Sequence, residues 1–486
     1  MKKAIGLVVG GLVIVFGLAP YGFGVHTEPV WTSLVQLAED VLDIPVYTTR
    51  YTRGWFSSTA ETWLAIPPEV AETLRAYVPF MPGHPARAEG LTMVHRILHG
   101  PFPISARPDG TRSLLPVQTI ITSSLIPGAL GAPGGVLPAA ALPILQVYTT
   151  VFLHGAGQSH VVVPAFTAPA DARTEADIVW QGLQGDITVE AQGHHVTGAL
   201  RAPGLQVSGA DAKFALYDVV AHTDVVIEHR HASRSDTIVR VGSVAVTDRT
   251  AAPATWAVTG GEMRATTATT RETLQAVADL RIETLRLVEA SYGPGTSHLE
   301  LHRLHLPALA RLVHEVSALR QDEADFASFW LRLLLSGDLA RLLSELARSS
   351  PEFALTRVSL HTTDGAIYAR AQVRVDGQRL LPPGYLSQLL QTIDAEAEGE
   401  APTAWVRAMA IAQVRRAIRA RSRFAALLPA AALNALAATI SDQQLRRLVQ
   451  QEYLVLDGNI YKSKARYTHG QLLVNGKPLD WPALMQ

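Results

Sequence analysis

The chain has 486 residues, an apolar content of 48%, a formal net charge of -1 and no cysteine. This is enough apolar material for packed cores, and the balanced charge gives no reason to expect nucleic acid as a partner. The lack of cysteine excludes disulfides, thiol nucleophiles, Cys-ligated metal and a lipidated N-terminal Cys, and it fits either redox compartment.

Lys2 and Lys3 precede residues 4–25, which hold no Asp, Glu, Lys or Arg and are dense in branched aliphatics. A run of about 20 apolar residues spans a bilayer. The expectation is a membrane anchor over 1–25 with the two lysines on the cytoplasmic side and the bulk exported. A cleaved signal peptide ending near Gly22-Phe23-Gly24 is the alternative. Trp31, Leu34, Val35, Ala38, Val41 and Leu42 recur at helical spacing and predict a short amphipathic helix over 31–43, which Pro45 ends. The segments on either side of Arg53-Gly54 then read as two strands with a bend between them. Residues 91–103 read as a further strand ending in a Gly-Pro turn.

From Ser113 to Ala170 there is no Asp, Glu, Lys or Arg. Pro127, Pro133, Pro138 and Pro143 argue against a membrane helix in that stretch. It reads as buried strands joined by a neutral loop, or as an apolar surface touching lipid. Residues 175–290 alternate apolar and polar positions with frequent glycines, which predicts a long antiparallel meander. Helices are expected over about 306–350 and again over about 386–452. Between them, Asp364-Gly365 marks a hairpin, and further strands close the chain around Asp457-Gly458 and Asn475-Gly476. The expected organisation is an anchor (1–25), a helix with strands (26–112), a β-rich meander (113–296) and a helix-rich region with terminal hairpins (297–486). The fold class is α+β: a curved antiparallel sheet with helices packed mainly from the C-terminal half.

Signatures of catalysis are absent. No G-x-S-x-G, S-x-x-K, H-E-x-x-H or phosphate-binding loop occurs. Ser57 and Ser58 have no partner base nearby in the chain and read as strand residues. His298, His302 and His305 have the spacing of ligands on a helix, but Leu299 and Leu301 alternate with them as on a strand, where the histidines do not converge. His229 and His231 could share a strand face, whereas His194 and His195 cannot point the same way on a strand. No cofactor and no metal site is expected. Arg415, Arg419 and Arg423 form a stripe on a predicted helix. They suit either a solvated face paired with Asp394, Glu396, Glu398 and Glu400, or lipid headgroups.

Several stretches together resemble the YdgA-like family of bacterial envelope proteins. They are the anchor, then Tyr51-Thr-Arg53-Gly54-Trp55-Phe56-Ser57-Ser58, then His99-Gly100-Pro101-Phe102. Trp180-Gln-Gly182-Leu183 follows, and the ending that carries Tyr461, Gly470, Asn475 and Gly476 completes the set. The resemblance implies a single-pass inner-membrane protein with its bulk in the periplasm and no settled activity, so these positions read as structural. A looser likeness of architecture links the chain to AsmA-like envelope proteins, whose long sheets are implicated in lipid movement. Three functions stay open: a sheet that guides lipid or another apolar ligand, a scaffold docking envelope proteins, and a hydrolase built from dispersed residues.

Overall fold

The computed structural model describes residues 19–42, 45–65, 90–103, 105–106, 112–113, 116–125, 145–170, 176–210, 212–229, 232–248, 254–270, 272–287, 290–309, 311, 344–379, 391–421 and 429–479. Among the described residues antiparallel strand dominates, helices are few and the sheet is not closed. Backbone contacts divide the chain into two compact units, residues 1–230 with 235–253 and residues 231–234 with 254–486.

The first unit opens with helix α1 (Ala19–Leu42), longer than the short helix expected and running without a break through Gly22–Gly24. Residues 1–18 of the expected anchor lie outside the described residues. No described helix is long and apolar enough to cross a membrane. The strands are β1 (Val46–Arg53), β2 (Ser57–Ala65), β3 (Gly90–His99), a two-residue pair β4 (Ser105–Ala106) and β5 (Arg112–Ser113), β6 (Val117–Leu125), β7 (Leu145–Phe152), β8 (Gly157–Val163), β9 (Phe166–Ala168), β10 (Ala176–Trp180), β11 (Leu183–Val189), β12 (His195–Gly209), β13 (Ala212–His229) and β14 (Ala232–Asp248). Each of β1, β2, β3, β6, β7, β8, β11, β12 and β13 pairs antiparallel with the next in that order. The charge-free stretch 113–170 thus supplies neighbouring strands, and its Pro-rich part, 126–144, lies outside the described residues.

Register turns alternation into two chemically different faces, because successive side chains on a strand point to opposite sides. Pairing Ile187 with Gly198 and Leu200 with Ala221 puts Leu183, Ile187, Val189, Val196, Leu200, Ala202, Val219, Ala221 and Val225 on one face. Gln184, Asp186, Thr188, Thr197, Arg201, His222 and Asp224 fall on the other. On β1, β3 and β6 the apolar face is covered by α1. There Trp31, Ala60, Ile97 and Ile121 form a buried core, with Val35 and Tyr51 packed against it. Over β7 to β13 the same face is half-exposed.

A line of backbone irregularity crosses this ladder. Pro164-Ala165 separates β8 from β9, and Gln181-Gly182 separates β10 from β11, so that β10 and β11 both pair with the long β12. Gly182 has φ +96, which only glycine adopts readily, and the Gln181 N–H donates to Gly204 O at 2.9 Å. Pro203 and Asp218, whose φ is 51, continue the line on β12 and β13.

The second unit contains β15 (Ala254–Thr269), β16 (Thr273–Ile282), β17 (Thr284–Leu287), β18 (Ala290–Tyr292), β19 (Gly295–His305), β20 (Glu352–Thr362), β21 (Gly365–Val375), β22 (Ile393–Pro402), β23 (Val455–Asp457), β24 (Ile460–Thr468), β25 (Gln471–Val474) and β26 (Lys477–Pro478). The ladder runs β15, β16, β19, β20, β21, β22, β24, β25, β26. The same division of faces recurs: Leu299, Leu301, Phe353, Val358, Ala371 and Val373 lie on one, and Glu300, Glu352, Arg357, Arg374, Glu396 and Glu398 on the other. Helices α2 (Thr403–Arg421) and α3 (Ala430–Gln450) form a hairpin in which Leu433, Ala437, Ser441 and Leu445 are the buried stripe of α3.

Two expectations need correction or limit. Residues 393–402 form strand β22, not helix: Ile393, Ala395, Ala397, Gly399 and Ala401 alternate with Asp394, Glu396, Glu398 and Glu400. The period-2 pattern outweighs the helix propensity of Ala and Glu. The helices expected through 312–343 lie outside the described residues.

Ile97 is fully buried beneath α1. Ile97→Ala should cost about 3 kcal/mol, seen in urea unfolding as a lower midpoint with an unchanged slope. An unshifted midpoint would contradict this placement of the core.

Candidate functional site

The motif residues of the first unit converge on one place, the seat of α1. Helical spacing aims Pro20, Gly24, Thr27 and Trp31 at the sheet, where all are buried. Below them lie Ser58 and Ala60 of β2, His95, Ile97 and His99 of β3, and Thr119, Ile121 and Ser123 of β6. The register puts these on one face: Ser58 opposite Ile97, Ala60 opposite His95, His95 opposite Ser123 and His99 opposite Thr119.

This seat is unusually polar for a core. Ser58 Oγ lies 2.9 Å from His99 Nε2, and His95 Nδ1 lies 2.8 Å from Ser123 Oγ. The Trp31 ring meets the edge of His95 at 4.4 Å between centroids, and Trp31 Nε1 donates to Thr48 Oγ1 at 3.1 Å. The outer nitrogens, His95 Nε2 and His99 Nδ1, are buried and find no hydrogen-bond partner among the described residues. Burial lowers the pKa of His95 to about 4 and also lowers that of His99, where the Arg53 charge adds to the effect. Burial likewise pushes the Tyr51 hydroxyl above its ordinary value. Both imidazoles are therefore neutral near pH 7.

Glycine lets the helix approach. A Cβ on Gly24 would lie 3.0 Å from His99 Cδ2 and Nε2, so the helix backbone rests on the imidazole ring. A Cβ on Gly100 would lie 2.0 Å from Val117 O, so His99-Gly100-Pro101 admits only glycine at its centre. At the rim, Arg53 faces Glu28 at 3.5 Å and lies over the Tyr21 ring at 5.8 Å, while Trp55 packs on Tyr21 at 4.8 Å. Gly54, Trp55 and Phe56 form the bend between β1 and β2, as expected of a corner. Trp55 and Phe56 are both exposed.

Ser58 thus gains the base that the local sequence does not supply, and the reading of a serine without one is corrected. The pair does not present a nucleophile, however. Ser58 is 1% exposed and His99 3%, and among the described residues no carboxylate orients the outer nitrogen of His99. Its chemistry is that of a hydrogen-bonded strut beneath a helix.

The other motif positions do similar work elsewhere. Trp180 and Gly182 sit at the crease between β10 and β11. Asn475 Nδ2 donates to Glu452 O and Tyr453 O at 2.9 and 3.1 Å, and its Oδ1 accepts from Lys464 N at 2.8 Å. That staples the chain just after α3 to β24. Gly470 and Gly476 have φ of 79 and 81 and form the turns on either side of β25. Tyr461 is half-buried on β24, opposite Ala401.

The histidines of β19 are on a strand, as the alternation indicated. His298 is held by Asp279 at 2.8 Å and Glu300 at 3.1 Å, and Glu300 also accepts from His302 at 3.0 Å. His195 lies between Glu190 and Asp224, both at 3.0 Å. No group of metal-ligating side chains occurs among the described residues. Arg415 Nη1 donates to Asn434 Oδ1 at 3.2 Å, across the helix hairpin. The Arg419 side chain and all of Arg423 lie outside the described residues. Among the described residues, Glu398 of the acidic run pairs with Arg370, and Glu396 with Arg466 at 3.4 Å, all on neighbouring strands.

His95 makes the seat sensitive to acid. Its folded pKa lies below the ordinary 6.5, so the unfolded chain binds the extra proton in between. The associated stability is fully present above pH 6.5 and is lost as pH falls through about 4. The loss should approach roughly 3 kcal/mol. Unfolding of the full chain followed by Trp fluorescence should show this slope, and His95→Gln should flatten it. Equal slopes in both proteins would contradict the assignment.

No curated protein and no solved structure matches the chain. A family model described as "Bacterial protein of unknown function (DUF945)" matches residues 1–482. The seat of α1, the crease and the Asn475 staple are thus features of a chain that belongs to this bacterial family.

Proposed function

We propose that the chain is a single-pass inner-membrane protein with its bulk in the periplasm, and that its sheets hold and guide lipid or another apolar ligand without catalysis. The observation that carries this reading is the division of faces. In each unit one sheet face is built of aliphatic and aromatic side chains that remain half-exposed, while the other carries ion pairs such as Arg374–Glu352 at 2.9 Å. On the apolar faces, Leu200, Met263, Leu280 and Phe353 are each at least 40% exposed. Water contact of that extent is unfavourable without an occupant.

Magnitudes favour passage over storage. Burying an acyl chain of ~16 carbons is worth about 0.8 kcal/mol per CH₂, and an open sheet face covers about half of each group, leaving roughly 6 kcal/mol before the costs of ordering. That is weak, exchangeable binding. The apolar, charge-free residues 4–18 lead directly into α1, which fits a retained anchor, and Gly24 is engaged with His99 rather than placed in a free cleavage site. The resemblance to YdgA-like envelope proteins supports the same compartment, and the AsmA-like likeness supports the lipid reading by analogy alone.

A scaffold for envelope proteins is the second reading, since a partner protein would also cover these faces. Mass spectrometry of the full chain purified in mild detergent separates the two. Bound acyl lipid that falls several-fold in Ile187→Glu and Leu200→Glu, with folding intact, is the expected result. Lipid-free protein, or lipid that the substitutions leave unchanged, would contradict the proposal.

A further inference from the structure

We infer that one end of the first unit's sheet is itself a membrane-seating surface, an apolar rim that rests on the lipid bilayer beside the anchor. This rests on the anchored reading above, but it concerns different residues from those of the apolar face.

The ladder brings two chain reversals and the start of a third connection to the same end. The bend 54–56 joins β1 to β2, residues 100–103 follow β3, and residues 153–156 join β7 to β8. Hydrogen bonds connect them in series: His99 N to Phe56 O at 2.9 Å, Gly100 N to Gln118 O at 2.8 Å and Val117 N to Pro101 O at 3.0 Å, with Val117 opposite Phe152. With adjacent strands about 4.8 Å apart, the rim from β2 to β7 is about 14 Å wide.

Chain reversals at a water-exposed sheet end are ordinarily polar or charged. These are not. None of the segments 54–58, 100–103 and 152–157 contains Asp, Glu, Lys or Arg; the adjoining charges are Arg53, paired with Glu28, and Arg107, Asp109 and Arg112 further along the connection from β3 to β6. Their large apolar side chains point outward: Trp55 is 48% exposed, Phe56 58%, Phe102 36% and Leu153 53%. The start of α1 lies at the same end, because Tyr21 packs on Trp55 and Gly24 on His99. Tyr21 and Val25 there are 41% and 40% exposed.

The occupant follows from where the chain leads. Residues 4–18, apolar throughout, enter the described structure at this rim, and Lys2 and Lys3 lie beyond them. Trp and Tyr concentrate where headgroups meet acyl chains, because their rings are apolar bodies with a polar handle, and Phe adds apolar surface beside them. A bilayer surface therefore meets the rim as soon as the anchor is inserted. The seat built by Ser58, His99 and Gly24 fixes the angle at which it does so.

The lack of cysteine permits a direct test. Phe102→Cys, Leu153→Cys and Ala165→Cys are each labelled with an environment-sensitive dye, and the full chain is reconstituted in phosphatidylcholine/phosphatidylglycerol vesicles with acyl chains brominated near the headgroup. Ala165 lies in the exposed link between β8 and β9, at the far end of β8 from the rim. Quenching of the dyes at 102 and 153 but not at 165 is the expected result. Protein that co-floats with the vesicles while all three dyes stay unquenched, or while all three are quenched alike, would overturn the seating and leave the anchor standing. Protein that fails to co-float would remove the anchored reading and the seating with it.

Discussion

Strict alternation held in antiparallel register is the constraint on which this molecule depends. A one-residue slip on any long strand would carry its apolar set to the charged face and its charges to the apolar face. The ion pairs between β20, β21, β22 and β24 act against such a slip. Arg374 meets Glu352, Arg370 meets Glu398, and Arg466 meets Glu396 only in the observed register. Each exposed pair contributes little to stability, but misplacing several at once would bring like charges together and bury others against aliphatic side chains. Charge on one face thereby secures the apolar composition of the other.

The N-terminal helix is the one described element laid over the apolar face of the first unit, and its seat is polar. A wholly aliphatic seat would hold α1 with less directional preference. The buried Ser58–His99 and His95–Ser123 pairs fix the two imidazoles on the sheet, and the helix is registered on those rings by Gly24 against His99 and Trp31 against His95. The arrangement carries a cost, since the outer imidazole nitrogens are buried without partners among the described residues. The crease at Gly182 and the Asn475 staple are the corresponding fixed points elsewhere. The motif positions thus serve geometry, and the surfaces they position are the ones proposed to meet lipid.

Much of this was legible from residue patterns, and the exceptions have identifiable causes. The meander over 175–290, the hairpin at Asp364-Gly365 and the terminal hairpins follow from alternation and turn chemistry, which are local. Strand β22 carried the same alternation, but its Ala and Glu content suggested helix. The Ser58–His99 pair could not be seen locally, because its members are 41 residues apart and meet only through the register of β2 with β3. Their shared presence among the motif positions was the one available signal. The neighbours of Arg415 depended on the packing of two helices, which charge spacing does not encode.

The apolar face, and not the charged one, is the surface proposed to meet lipid. Site-specific photocrosslinking in intact cells tests it most directly, with a photoreactive amino acid placed at Leu200 or Phe353 on the apolar faces and at His222 or Tyr368 on the opposite faces. Lipid adducts are expected at positions 200 and 353 and none at 222 and 368. Adducts of equal yield on both faces, or protein adducts alone at 200 and 353, would contradict it.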